Sequence, residues 1–482
     1  MPQDSFDLVA ASRREMIDQG FAPDIPSDAQ RQAEGIRLKP DASLRDLTGL
    51  LWSSIDNDDS RDLDQIEWAE SAGDKIRVLV SIADVDSAVA KGTPVDRYAA
   101  RETTSIYAGV QTFPMLPERL STDLTSLSEG GERASVAIEF VVAADGSLGS
   151  TAIYRARVRN HARLTYNAVG AWLEGSTAAP AKVAASPELQ AQLKLQDEAA
   201  QRLRAARHRL GALTFDRIEA QPVMTQGRVT AIAARVSNRA GHLIEDFMIA
   251  ANETMEQSLQ AAGVSSIRRV VKAPERWPRI VALAAGLGAK LPPEPDSGAL
   301  DAFLVQRKAA DPVHYEDLSL SVLKLMGHGE YVRSRPGGDA QGHFGLAAHD
   351  YTHSTAPNRR FADLVTQRLV KALVAHAPAP YTDEELDGIA SDCTSKEDAA
   401  RKVQRNMLKR MAAVALAPRV GQTFSAVVTG ATPKGVFVRV LDPPVEGRVM
   451  RGEQGLDVGD SLRVTLLATD AQRGFIDFGR AS

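Results

Sequence analysis

The sequence predicts an α+β fold in three parts: a short helical N-terminal region (1–45), a mixed β-sheet surrounded by helices (46–417) and a five-stranded C-terminal barrel (418–482). Three observations carry this. Residues 47–90 hold the runs LLWSSI and KIRVLVSIADV, too apolar for solvated strands and suited to a buried sheet. Leu189, Leu193, Ala200, Leu203, Ala206 and Leu210 recur at helical spacing after Ser186-Pro187-Glu188, with Gly211 where a C-cap belongs. Residues 421–480 alternate short strands with glycine turns, five strands in the format of a small OB barrel.

In chain order, two amphipathic helices flank Gly20, with Ser27-Asp28 as an N-cap; a docking role is favoured over a DNA-reading helix-turn-helix. Further strands are expected over 135–143 and 154–159, and the Ala/Gly/Ser-rich residues 171–185 read as a surface loop. Helices are expected over 242–262, beside Pro292-Pro293-Glu294-Pro295, and over about 383–415 after the break at 377–380. Arg401, Lys402, Arg405, Lys409, Arg410 and Arg419 follow one another with no acidic residue between them, which suits a solvated face and a phosphate-facing one equally.

The chain has 482 residues, 44% hydrophobic and 25% charged, which excludes wholesale disorder. A single cysteine, Cys393, excludes an intrachain disulfide and any cysteine-pair zinc site. The start MPQDSFDLVA has no export-signal pattern and no run suits a membrane span, so a cytoplasmic protein without a membrane association is expected. The net charge of -5 argues against a simple basic nucleic-acid coat, but a local channel for a polyanion remains compatible with it.

The segment from Ile55 to Glu67 holds five aspartates and one glutamate in thirteen residues. Two charges ~4 Å apart repel by about 4 kcal/mol at an effective dielectric near 20, so gathering them calls for a cation. Oxygen-only donors point to magnesium or manganese and to phosphoryl chemistry. A calcium loop competes, because Asp56, Asp58, Ser60, Asp62, Asp64 and Glu67 fall at EF-hand ligand positions; Arg61 stands where that loop needs glycine. A solvated acidic turn is the third option. The second constellation, residues 351–364, places Arg359 and Arg360 after a proline-containing turn, suited to bidentate capture of phosphate oxygens, with pairing to Asp363 as the plainer alternative. His343, His349 and His353 read as structural.

These motifs, together with RETTSIYAGVQTFPMLPERLSTDLTSL (101–127), ARLTY (162–166), GALTF (211–215) and HLIEDFMIAAN (242–252), stand in an order that resembles the ribonuclease II / ribonuclease R family of processive 3'-to-5' exoribonucleases. The C-terminal segment is similar to the ribosomal-protein type of RNA-binding OB domain that follows the family's RNB catalytic domain. The resemblance implies a magnesium-dependent (or manganese-dependent) enzyme, a monomer with no obligate protein partner, that hydrolyses single-stranded RNA to nucleoside 5'-monophosphates. It assigns metal binding to Asp56, Asp62 and Asp64, with Gln65 in place of the fourth aspartate unless Asp58, Asp59 or Glu67 compensates. Catalysis falls to Asp62, Asp64 and Arg359. RNA contacts fall to Tyr107 and Phe215 by stacking, to Arg360 at phosphate, and to Glu245 or Asp246 near the terminal sugar. The family usually carries two cold-shock OB domains ahead of the catalytic domain. Only residues 1–45 precede it here, so RNA entry is expected to rely on the barrel, the N-terminal helices and the basic 401–419 stretch. A catalytically silent RNA-binding protein and a calcium-binding regulator are the competing readings.

Overall fold

The computed structural model describes residues 6–38, 41–215, 218–311, 314–338, 342–432 and 435–481. Its central sheet has six strands in the order Arg45–Asp46, Leu148–Thr165, Trp52–Asp56, Gln65–Ala72, Lys75–Ala83, Glu132–Val142. The long strand Leu148–Thr165 serves three neighbours, Arg45–Asp46 pairing parallel with its residues 156–157. Residues 148–159 pair antiparallel with Glu132–Val142, and residues 160–165 pair parallel with Trp52–Asp56, so the sheet folds back on itself. Trp52, Ile55, Ile66, Leu79, Ile82 and Phe140 are wholly buried, as the apolar runs require.

Gln65–Ala72 is a strand that hydrophobic patterning does not mark, because Glu67 and Glu70 interrupt it; full pairing with Lys75–Ala83 holds it in place. Residues 171–185 also differ from the expected loop. They include the end of the helix Tyr166–Leu173 and the short helix Ala181–Ala184, where Val183 is buried in the core. The small residues there, Gly175, Ser176, Ala178, Ala181, Ala184 and Ala185, are exposed, as a surface segment requires.

The helix Pro187–Arg209 begins where expected, with Ser186 Oγ accepting the Leu189 N–H and proline in the first turn. Arg239–Ala261 is capped by Asn238, whose Oδ1 accepts the Gly241 N–H. The expected helices after residue 383 are one helix, Asp383–Leu416, opened by a capping box between Thr382 and Glu385.

This last helix joins the parts. Arg410 and Asn406 on it hold Glu15 of the first helix, Leu8–Asp18, at 2.6 and 2.8 Å, and Lys396 Nζ donates to Gly20 O, so the N-terminal helices are docked. The second of them, Ser27–Gly35, starts at Ser27 itself after Pro26 and has no side-chain cap bond. Of the basic stretch, Arg401 and Arg410 are tied to acids, while Lys402, Arg405 and Lys409 are exposed. The C-terminal strands close into a barrel in the order Thr423–Thr432, Gly435–Val440, Val445–Arg451, Phe475–Arg480, Ser461–Asp470, around buried Val438, Val449, Val464, Leu466 and Phe478. Among the described residues no helix is long and apolar enough to cross a membrane.

Candidate active site

The acidic segment connects two adjacent antiparallel strands at one end of the sheet, so Asp56 ends one strand and Gln65 begins the next. Strands on both sides of the segment remove the calcium-loop reading, which needs an entering and a leaving helix. The solvated-turn reading fails as well for Asp64, which is 3% exposed.

Each aspartate is oriented by a donor. Asp56 Oδ1 accepts the Asn57 N–H at 2.7 Å and the Ser60 hydroxyl at 3.0 Å. Asp62 Oδ2 accepts the Tyr107 hydroxyl at 3.3 Å. Asp64 Oδ1 accepts the Asn358 N–H at 3.0 Å, and its Oδ2 lies 3.7 Å from Arg359 Nε. Burial pushes Asp64 up to about 7 against the pull of Arg359 and of the Asn358 bond, and burial likewise raises Asp56. Among the described residues no three His, Cys, Asp or Glu side chains converge on one point as a ready-made metal cage.

These residues open onto a chamber of about 1290 Å³, larger than the roughly 300–1,000 Å³ of a small-molecule pocket and suited to several residues of a polymer. Asp56, Asp62, Asp64, Gln65, Tyr107, Phe215, Glu245 and Arg359 all line it. Tyr107 is 43% exposed, which sets it apart from a core tyrosine. Its turn depends on Gly109, at φ +81°, where a Cβ would strike Met411 Sδ at 2.7 Å. Phe215 is half-buried against the helical cluster around Trp277. Glu245 is held by Arg204 at 3.1 Å, whereas its neighbour Asp246 is buried between Arg204 and Arg207 and faces away from the chamber.

Arg360 stands elsewhere than expected. It does not line the chamber; its Nε and Nη2 grip the wholly buried Asp363 at 2.8 and 2.7 Å, so pairing with Asp363 describes it better than phosphate capture. None of the three acids considered as substitutes for the fourth aspartate lines the chamber either. Asp58 and Asp59 are exposed beside it, and Glu67 is wholly buried with both carboxyl oxygens unpartnered, raised well above the ordinary range by burial and by Asp56. His343 and His353 are ring-packed against Tyr351, and His353 Nδ1 meets the Tyr331 hydroxyl at 2.8 Å, a structural role. Sequence reasoning missed Asn57, Arg204, Arg207, Arg235 and Arg269 in the chamber wall, since nothing in their local pattern distinguishes them from surface residues.

Residues 44–376 match the RNB domain, and residues 422–481 match the RNase II-type exonuclease C-terminal S1 domain. Ribonuclease R of Escherichia coli K12 is 30% identical over 451 residues, 88% of this chain and 54% of that protein. Ribonuclease R 1 of Lactococcus lactis is 28% identical over 98% of this chain and 60% of its own length, so the chain spans little more than half of these relatives. Mycoplasma genitalium RNase R, solved with ribose methylated single-stranded RNA, superposes with a TM-score of 0.89 at 23% identity, over 99% of this chain and 78% of that one. Yeast Ssd1, described as a pseudonuclease, shares the fold at a TM-score of 0.74 and 19% identity, over 92% of this chain and 56% of its own.

Proposed function

The chain belongs to the RNB-domain family of ribonuclease II and ribonuclease R, and on that premise we propose that it is a 3'-to-5' exoribonuclease that draws single-stranded RNA into the chamber and releases nucleoside 5'-monophosphates with magnesium, or manganese, as cofactor. The observation that carries this reading is the convergence of the acidic segment, Arg359 and an exposed Tyr107 on one large chamber.

The donor set fits a hard divalent cation: Asp56, Asp62, Asp64 and the Gln65 amide offer oxygen only, and a cation would relieve the burial that holds Asp64 near 7. Such a cation, when bound, supplies activation of the attacking water and neutralisation of charge on phosphate. Asp62 and Asp64, with Asp56 and Gln65, would hold that cation at the chamber wall. Arg359, with 43% of its side chain exposed and only a 3.7 Å contact to Asp64, is free to reach a non-bridging oxygen as charge builds there. Tyr107 and Phe215 supply ring faces for the terminal bases, at about 1 to 3 kcal/mol per stack with little base preference. Glu245 offers a carboxylate acceptor for a ribose 2'-hydroxyl, the group that separates RNA from DNA.

RNA labelled at its 5' end and incubated with enzyme and magnesium is expected to yield mononucleotides and a short residual fragment. Internal cuts, or no products with either metal, overturn the proposal. A catalytically silent RNA-binding protein is the second reading, favoured by Gln65 and by the fold shared with a pseudonuclease. If the parent chain degrades RNA while Asp64→Asn binds it uncut, that second reading fails.

A further inference from the structure

The chamber wall carries six arginines, four of them held by acids and a fifth, Arg359, in loose contact with one. Arg204 and Arg207 hold Asp246, Arg269 and Arg401 share Glu397, and Arg359 faces Asp64. Arg235 differs: among the described residues no carboxylate lies within ion-pair distance of it. It projects from the strand Arg228–Val236 of a hairpin, half-buried, with Nη2 donating to Asn57 Oδ1 at 2.6 Å and its guanidinium 6.0 Å from the centre of the Tyr166 ring.

With no counter-charge among the described residues, this half-buried guanidinium keeps free donors toward the chamber, and an anion there would offset the hydration it has given up. Asn57 takes one of five N–H donors and brings no charge. Asn57 also follows Asp56 directly, so Arg235 reaches the acidic segment at the end opposite Asp64, where Arg359 stands. The two arginines therefore approach the same chamber from different elements, and Arg360 is withdrawn from it by Asp363. The planar donor fork that remains on Arg235 suits a phosphate better than a carboxylate sharing a site with Asp56.

We propose that Arg235 is a phosphate-binding residue of the substrate site, gripping the non-bridging oxygens of one phosphodiester near the RNA 3' end on the Asp56–Asn57 side of the chamber. This deepens the exoribonuclease reading and rests on it for the identity of the polyanion.

The test is a coupling between side chain and phosphate. Fluorescent RNA pentamers, each with one linkage replaced by an uncharged methylphosphonate, are bound by wild type, Arg235→Ala, Arg235→Lys and Asn57→Ala in EDTA, with Kd read by anisotropy. A charge-assisted bond predicts that wild type loses roughly tenfold to hundredfold in affinity at one particular linkage. Arg235→Ala is expected to start that much weaker and to be indifferent to the same replacement, Arg235→Lys to fall between, and Asn57→Ala to keep the wild-type pattern. Equal sensitivity of wild type and Arg235→Ala at every linkage overturns the proposal. So does an Asn57→Ala variant that reproduces the whole loss, since Arg235 would then act only by holding the loop. Matching melting curves exclude misfolding as the cause. Binding is read without metal, so a protein that shows this coupling yet never cuts RNA would sink the exoribonuclease reading alone.

Discussion

Replacing Asp64 by asparagine tests the energetics of the acidic centre directly. The carboxyl is wholly desolvated and its pKa is raised from 3.8 to about 7. Between those values the folded protein binds a proton that the unfolded chain has released, so stability falls as pH rises through that window and stays low above it. At 1.36 kcal/mol per unit, the cost of holding Asp64 ionised is bounded by about 4 kcal/mol. Asp64→Asn keeps an oxygen for the Asn358 N–H and removes that cost, though it also forfeits the attraction to Arg359. Metal-free Asp64→Asn is therefore expected to melt several degrees above wild type at pH 8, with the two curves converging toward pH 4.5. Magnesium should raise the melting temperature of wild type and leave the variant nearly unmoved. Thermal unfolding by circular dichroism in EDTA and in magnesium, across that pH range, makes the comparison. A variant less stable than wild type at pH 8 in EDTA, or a difference that ignores pH, refutes the reasoning.

Three further outcomes are expected. Tyr107→Ala should weaken the binding of a short RNA roughly tenfold to hundredfold, from the loss of one stack, with Tyr107→Phe close to wild type; equilibrium anisotropy checks it. Arg360→Ala should cost roughly 3–5 kcal/mol of stability by leaving Asp363 buried and unpaired, visible as a lowered urea midpoint, while Arg359→Ala leaves the midpoint near wild type and lowers turnover about a hundredfold or more. Gln65→Asp should lower the magnesium concentration needed for half-maximal activity, since a fourth charge is added at a position that already lines the chamber.

Much of the architecture was legible because it is written in periodicity. The buried sheet runs, the helix after Pro187 and the closing barrel all announce themselves by apolar spacing and turn residues. Gln65–Ala72 did not, because a strand carrying Glu67 is favourable only once both neighbours are paired, which is tertiary information. The candidate site follows the same division. The acidic segment is local and its density of charge is conspicuous, whereas Arg235 and Arg204 reach the chamber only through the placing of a hairpin and a helix, and their neighbours in sequence give no sign of it. Asn358 meets Asp64 across 294 residues, a contact that no spacing rule could supply.

The pair Arg359-Arg360 states the limit most sharply, since two identical neighbours in one motif have different fates. Arg360 caps the helix Phe361–Val374 in extended backbone, φ -136° and ψ 126°, whereas Arg359 lies in the turn before it, the N–H groups of both donating to Ala356 O. With that change of backbone between them, Arg360 faces the helix start and Arg359 the chamber. Asp363 in the first helical turn accepts the Ala356 N–H and both Arg360 donors, which fixes the turn between residues 356 and 363. With Arg359 O accepting the Ser105 N–H at 2.9 Å and the Asn358 N–H bound to Asp64, the backbone on both sides of Arg359 is anchored while its guanidinium stays loosely held. The buried fork therefore aims its neighbour.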